Sequence, residues 1–294
     1  MLEIKYKLST NKIPPMEWDD YERIATEELK RLLEDKGDKE EEFQKFFENN
    51  SAFVPGGFDL DDGSGHMPHL AALISKPPLQ GHFRRIPDFL WLSFYSGVVH
   101  PILIEIEAPN KKCFNADGSS SQEFNHALDQ IKEWQVWLKE PAHEQIFKKH
   151  FELDSYWYFH SCDFIPKFLL IYGRRHEFAQ SEKLKKLREQ FSSANCKVRS
   201  YDGLKPSYKC KDCFTVRLTE QGYEAVGIMP TFKIYPSCAK DYSRIKNKEV
   251  VIQDNPILSK ERKYFLIERF KYWDNWIATT EYGARGPFNG ADWE

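Results

Sequence analysis

No stretch of this chain strings together the 18 or more apolar residues that a membrane-spanning helix requires. The opening segment, Met-Leu-Glu-Ile-Lys-Tyr-Lys, has none of the apolar core that a secretory signal carries. Both absences point to a cytoplasmic protein with no membrane partner. Cysteine is sparse, with six in 294 residues, at positions 113, 162, 196, 210, 213 and 238. In a cytoplasmic chain of this length they do not read as a disulfide framework. Cys210 and Cys213 form one Cys-x-x-Cys, but a structural zinc needs a second pair. Only the scattered Cys196 and Cys238 are near in sequence, so free cysteines beside a turn are the simpler reading. Excess charge of either sign is also missing. A net charge of -3 excludes a uniformly basic surface but leaves room for a local basic face.

What is present suffices for a core. Hydrophobic residues make up 41% and charged residues 30%, so the chain folds rather than staying disordered. Its length suits one large domain, or one core with appendages.

Residues 14 to 36 read as a helix, entered through Pro14-Pro15 and closed at Gly37, with Trp18, Ile24, Leu29, Leu32 and Leu33 as a loose apolar stripe. Residues 38 to 50 read as a second helix. Phe43, Phe46 and Phe47 supply its apolar face, and its three leading glutamates complement the helix dipole. One of those glutamates, Glu42, is a candidate to face a metal site. The loop from 51 to 68 carries His66, and His69 follows it. Such histidines can bind metal, although solvated loop histidines are the commoner case. Residues 69 to 75 suit a short strand ended by Pro77-Pro78.

Residues 84 to 94 and 100 to 107 read as an antiparallel pair joined around Tyr95-Ser96-Gly97. The run from Ile102 to Ile106 is apolar at nearly every position, which places that strand centrally in its sheet. Two carboxylates break these apolar runs, Asp88 entering the first strand and Glu105 near the end of the second. A buried carboxylate is costly unless it is paired or binds a metal. A metal site explains the placement better than packing does. Strand alternation puts Glu105 and Glu107 on one face.

The helix from Gln122 to about Lys139 buries Phe124, Ala127, Leu128, Ile131, Trp134 and Leu138. Glu123, His126, Gln130 and Trp137 form a second stripe along its edge. Gln130 there is either an ordinary boundary residue or a group reaching the end of the Glu105 strand. Lys167 to Gly173 reads as a buried strand, Ser181 caps a helix reaching about Ala194, and Lys197 to Asp202 reads as a strand parallel to the first. Lys183, Lys185 and Lys186 decorate the helix between them. Residues 205 to 258 look irregular. Ser259 to Thr279 reads as a long helix with Phe265, Phe270, Trp273 and Ile277 on its apolar side, followed by a Gly-rich tail from Gly283. The aromatic face of that helix packs either on the core or on a second copy, and the latter would make a homo-oligomer.

Pro87-Asp88 followed seventeen positions later by Glu105-Ile106-Glu107 is similar to the Pro-Asp…Asp/Glu-x-Lys signature of restriction-endonuclease-like nucleases. The segment Ile-Glu-Ile-Glu-Ala-Pro-Asn-Lys-Lys-Cys-Phe, with Gln-Glu-Phe-Asn-His-Ala-Leu-Asp-Gln-Ile-Lys-Glu-Trp after it, resembles the nuclease domain of Shedu anti-phage defence proteins. Tyr172-Gly173-Arg174-Arg175 and Tyr201-Asp202-Gly203-Leu204 fit the same domain. The resemblance spans about residues 38 to 205. It leaves residues 1 to 37 as an accessory helical segment and 206 to 294 as a C-terminal extension.

The resemblance implies an α/β fold with a mixed central sheet flanked by helices. It implies Asp88 and Glu105 as ligands of Mg²⁺ or Mn²⁺, Gln130 as a supporting residue, and DNA phosphodiester hydrolysis. One position departs from the signature. Glu107 stands where the motif lysine belongs, so it is either a third ligand or the mark of a weak site. The missing cation is then expected from Lys111 or Lys112. Arg84-Arg85, Lys111-Lys112 and Arg174-Arg175 lie near strand ends and are candidates for phosphate contact. The alternative is a non-catalytic nucleic-acid-binding or sensing module on a nuclease fold.

Overall fold

The computed structural model describes residues 6–9, 13–61, 63–81, 86–155, 162–279 and 294. Arg84, Arg85 and the segment from Gly283 to 293 lie outside these. Helix α1, Trp18–Asp35, buries Tyr21, Ala25, Leu29 and Leu33, one stripe at four-residue spacing. Helix α2, Glu40–Asn49, buries Phe43, Phe46 and Phe47. Gly37 between them lies so close to Asn110 that a Cβ there would fall 2.5 Å from the Asn110 Oδ1. That contact ties the helical entry to the loop beyond the acidic strand.

Strands β1 (Ala72–Ser75), β2 (Phe89–Tyr95) and β3 (Val98–Ile106) follow. β2 and β3 are antiparallel around Ser96-Gly97, and Gly97 takes a φ of 93° that suits glycine. β3 is buried at every position after its first, as its apolar run predicts for a central strand. Helix α3, Gln122–Leu138, is capped by Ser121, whose hydroxyl accepts from the Phe124 N–H. Then come α4 (Pro141–His150), β4 (Asp163–Phe164), β5 (Lys167–Ile171), α5 (Glu182–Glu189, capped by Ser181) and β6 (Cys196–Arg199). The expected parallel pairing of β5 and β6 is present, and β5 also runs parallel to β3.

Residues 205 to 258 are not irregular. They contain β7 (Phe214–Thr219), β8 (Gly222–Ile228), α6 (Ala239–Tyr242), β9 (Ile245–Lys246) and α7 (Lys248–Asp254), before α8 (Lys260–Thr279). The sheet order among the described residues is β6-β5-β3-β2-β1-β7-β8-β9, with β4 beside β3. β7 pairs parallel with β1, so the C-terminal strands extend the same mixed sheet. Long-range pairing, rather than local propensity, holds these short strands in place. The aromatic face of α8 packs on this chain's own core. Phe270 meets Phe214, Phe232 and Tyr242 with ring centroids 5.7 to 6.0 Å apart. Among the described residues no helix is long and apolar enough to cross a membrane.

Candidate functional site

Strands β1, β2 and β3 lie side by side, and their register sets the site. Ser75 pairs with Phe89, and Phe89 pairs with Ile104. One step further along, Lys76, Asp88 and Glu105 form a row across three strands. The backbone confirms the step. Lys76 N–H donates to the Asp88 carbonyl at 2.7 Å, and Asp88 N–H donates to the Ile104 carbonyl at 3.0 Å. Asp88 is 3% exposed and Glu105 is 8% exposed, so both carboxylates are withdrawn from water.

Each acid is oriented by the chain. Asp88 Oδ2 accepts from the Ile106 N–H at 2.7 Å, and Oδ1 takes an ion pair from the Lys76 ammonium. Glu105 Oε1 accepts from Gln130 Nε2 at 2.7 Å. Gln130 thus reaches the end of the Glu105 strand from the edge of α3. Glu105 Oε2 is buried without a hydrogen-bond partner among the described residues. Glu107 follows β3 and is half-buried. Its carboxylate pairs with Lys111, and its carbonyl accepts from the Tyr201 hydroxyl at 2.8 Å. The first turn of α2 brings in Glu40, not Glu42, because the helix phase that buries Phe43 and Phe47 turns Glu40 toward the sheet.

The four acids feel one another. Burial, then the charges of Asp88 and Glu107, push the Glu105 carboxyl well above its usual range. Burial also raises Asp88, against the pull of Lys76 and the Ile106 N–H. Glu40 rises to about 7, through burial and then the fields of Asp88 and Glu107. On the cationic side, burial alone would lower Lys76. Asp88, Glu105 and Glu40 outweigh that and raise it. Lys111 is raised against burial by its contact with Glu107. Ionising all four acids together is therefore costly in this low-dielectric setting, and a proton or a further cation relieves it.

The donor set fits a hard divalent ion. Two adjacent carboxylates are fixed by backbone and amide contacts, one oxygen is unpartnered, and an ammonium sits on the other acid. No group of three or more His, Cys, Asp or Glu among the described residues is arranged to hold a metal. Mg²⁺ asks for less, typically one or two carboxylates with water and substrate phosphate completing the shell.

A cleft of about 1060 Å³ opens at the loop that follows β3, with walls that include Lys111, Lys112, Phe114, Glu123, Arg174 and His176, and none of the four acids lines it. Lys112 is exposed in that wall, away from the strand row, and its carbonyl accepts from the Ser121 hydroxyl at 2.6 Å. Arg174 is tied down. Its guanidinium bonds the Asp202 carboxylate at 2.9 to 3.0 Å and the Leu33 carbonyl at 3.3 Å. Arg175 holds Asp202 through its backbone N–H, and its side chain is exposed.

The loop histidines do not join the acids. His69 is buried and its imidazole is held down to about 3, by burial and then by Arg244. His66 stacks on Phe94 at 5.6 Å. Cys210 and Cys213 are buried thiols. Two residues of the cluster escaped the sequence reading, Lys76 and Glu40. The three-glutamate start of α2 was a signal for the second. Only strand register reveals the first.

A comparison with curated proteins finds no match. A family model described as Shedu protein SduA, C-terminal, matches residues 37–204. That segment carries the acid row, Gln130 and the Arg174 turn, and it makes up more than half of the chain, so the chain belongs to the Shedu SduA family.

Proposed function

We propose that this protein is a metal-dependent endodeoxyribonuclease serving the anti-phage defence role that Shedu membership implies. The observation that carries the reading is the buried pair Asp88 and Glu105, side by side across two strands, with Glu105 Oε2 unpartnered. Charge of this kind is kept in a core only where it is used or compensated. Asp88 and Glu105 would hold Mg²⁺, or Mn²⁺ in its place. Bound there, the cation would polarise a phosphoryl oxygen and acidify a water molecule.

The chain's own residues do the rest. Ile106 N–H and Gln130 fix the orientation of the two carboxylates. The fold around Phe89, Leu103 and Ile104, all fully buried, keeps the acids' inner side dry, which strengthens each electrostatic contact. Lys111 and Lys112 in the cleft wall and the exposed Arg175 would be the cations that meet a phosphate backbone. Glu107 adds negative charge that Lys111 balances.

The test is cleavage of supercoiled and linear DNA by the purified chain with Mg²⁺, with Mn²⁺ and with EDTA. Metal-dependent cutting that disappears in Asp88→Asn and in Glu105→Ala is expected. Cutting that survives in both variants refutes the assignment. Glu107 in the motif-lysine position favours a second reading, a sensing module that binds DNA without cutting it. That reading predicts salt-sensitive binding and no nicking under any metal condition.

A further inference from the structure

We infer that Lys76, one residue past the end of β1 and across from Asp88, is the lysine of this centre and that its ammonium contacts the phosphate being cleaved. The inference rests on the nuclease reading above and adds a residue to it.

Three observations bear on Lys76. Register puts it directly across from Asp88, and its N–H bonds the Asp88 carbonyl at 2.7 Å, so the residue cannot slide along the sheet. Its φ is 45°, a left-handed conformation that is unusual for a lysine, and Pro77-Pro78 follow at once. A residue before proline ordinarily adopts an extended backbone. Local preference does not produce this turn, and such strain is retained where the surroundings demand one geometry. Third, the Lys76 side chain is 42% exposed while the Asp88 side chain it pairs with is 5% exposed. The ammonium therefore bridges the acid and the solvent from which a phosphate would arrive.

Lys76 compensates the buried Asp88, and its exposed part leaves it open to a ligand from solvent as well. The other lysines do not serve. Lys111 is engaged with Glu107 beyond the strand end, and Lys112 lies in the cleft wall. With a divalent ion held by Asp88 and Glu105, Lys76 would give up its hold on the Asp88 oxygen. The released ammonium remains within a side chain's length of the same spot, where charge builds on the phosphoryl oxygens. Lys76 thus fills the role that Glu107 cannot.

The experiment compares wild type, Lys76→Met, Lys76→Arg and the distant surface variant Lys271→Met. It measures cleavage rate at saturating DNA, DNA affinity in Ca²⁺, and melting temperature with and without Mg²⁺. Lys76→Met is expected to lose on the order of 100-fold or more in rate, the scale set by removing one charge-stabilising donor. Affinity should change by less than about threefold, and Lys271→Met should match wild type. Wild-type cutting together with a Lys76→Met rate within tenfold overturns the inference and leaves the nuclease reading intact. No cutting by wild type with either metal removes the nuclease reading and the inference together. If Lys76→Met fails to fold, Lys76→Arg decides, since it keeps a cation on Asp88. A broad guanidinium should replace a compact ammonium poorly. A rate clearly below wild type supports the inference, and a full wild-type rate overturns it.

Discussion

Replacing Glu105 with glutamine removes one charge and almost no volume. The Gln130 contact survives, because an amide oxygen accepts from Gln130 Nε2 as a carboxylate oxygen does. What disappears is an acid that burial and the charges of Asp88 and Glu107 push toward its protonated form, at a cost in stability near neutral pH. Burying an acid that resists ionisation, in place of a neutral amide of the same shape, costs about 1–3 kcal/mol at neutral pH. For a chain of this size a kilocalorie per mole moves the melting temperature by about 2 °C. In EDTA, Glu105→Gln should therefore melt about 2–6 °C above wild type. Mg²⁺ at ten times its dissociation constant adds about 1.4 kcal/mol to a protein that binds it only when folded. Wild type should rise by about 3 °C on that addition, and the variant should not move. Differential scanning fluorimetry in EDTA and in a Mg²⁺ series reads both arms. A variant that melts below wild type in EDTA would mean that the Glu105 charge stabilises the fold. The acid would then be structural, and the argument for a waiting cation would collapse.

Two further outcomes follow from other parts of the molecule. His69 is held to about 3 when folded but titrates near 6.5 when unfolded, so the unfolded chain binds the extra proton. Its contribution is full above pH 6.5 and is lost as pH falls toward 3, by about 2 kcal/mol at pH 5. Denaturation midpoints at pH 7 and pH 5 should show this loss in wild type and a smaller one in His69→Phe, and equal losses would refute it. A Cβ on Gly227 would fall 2.2 Å from the Glu48 carbonyl oxygen, so Gly227→Ala must push α2 off β8. The expected cost is about 1–3 kcal/mol, read as a lower melting temperature, and an unchanged melting temperature would show that α2 is not anchored there.

Asp88 and Glu105 were legible because a carboxylate interrupting an apolar strand has no bland explanation. Gln130 was visible as a polar position on the flank of a helix whose period was clear. The first six strand and helix assignments up to α3 rested on strong local signals of this kind. Lys76 carried no such signal. Its role depends on which strand lies beside β2 and in what register, and a single chain does not announce its neighbours. Glu40 and Glu42 differ by about 200° of helix rotation, so the choice between them turns on a phase that three consecutive glutamates conceal. The strands β7 to β9 were missed for a related reason. They are short, interrupted by Gly222 and by charged residues, and held by pairing to β1 from far away in the sequence.

That pairing has a practical side. β1 receives its two neighbours from opposite sides of residue 204, β2 from within the matched segment and β7 from beyond it. A fragment cut to residues 37–204 would bare the N–H and C=O groups along one edge of β1, next to a wholly buried Leu73. Such an edge recruits other strands, and the piece would tend to stick to itself. Oligomers observed with that fragment would then report a torn sheet and say nothing of how the intact protein assembles.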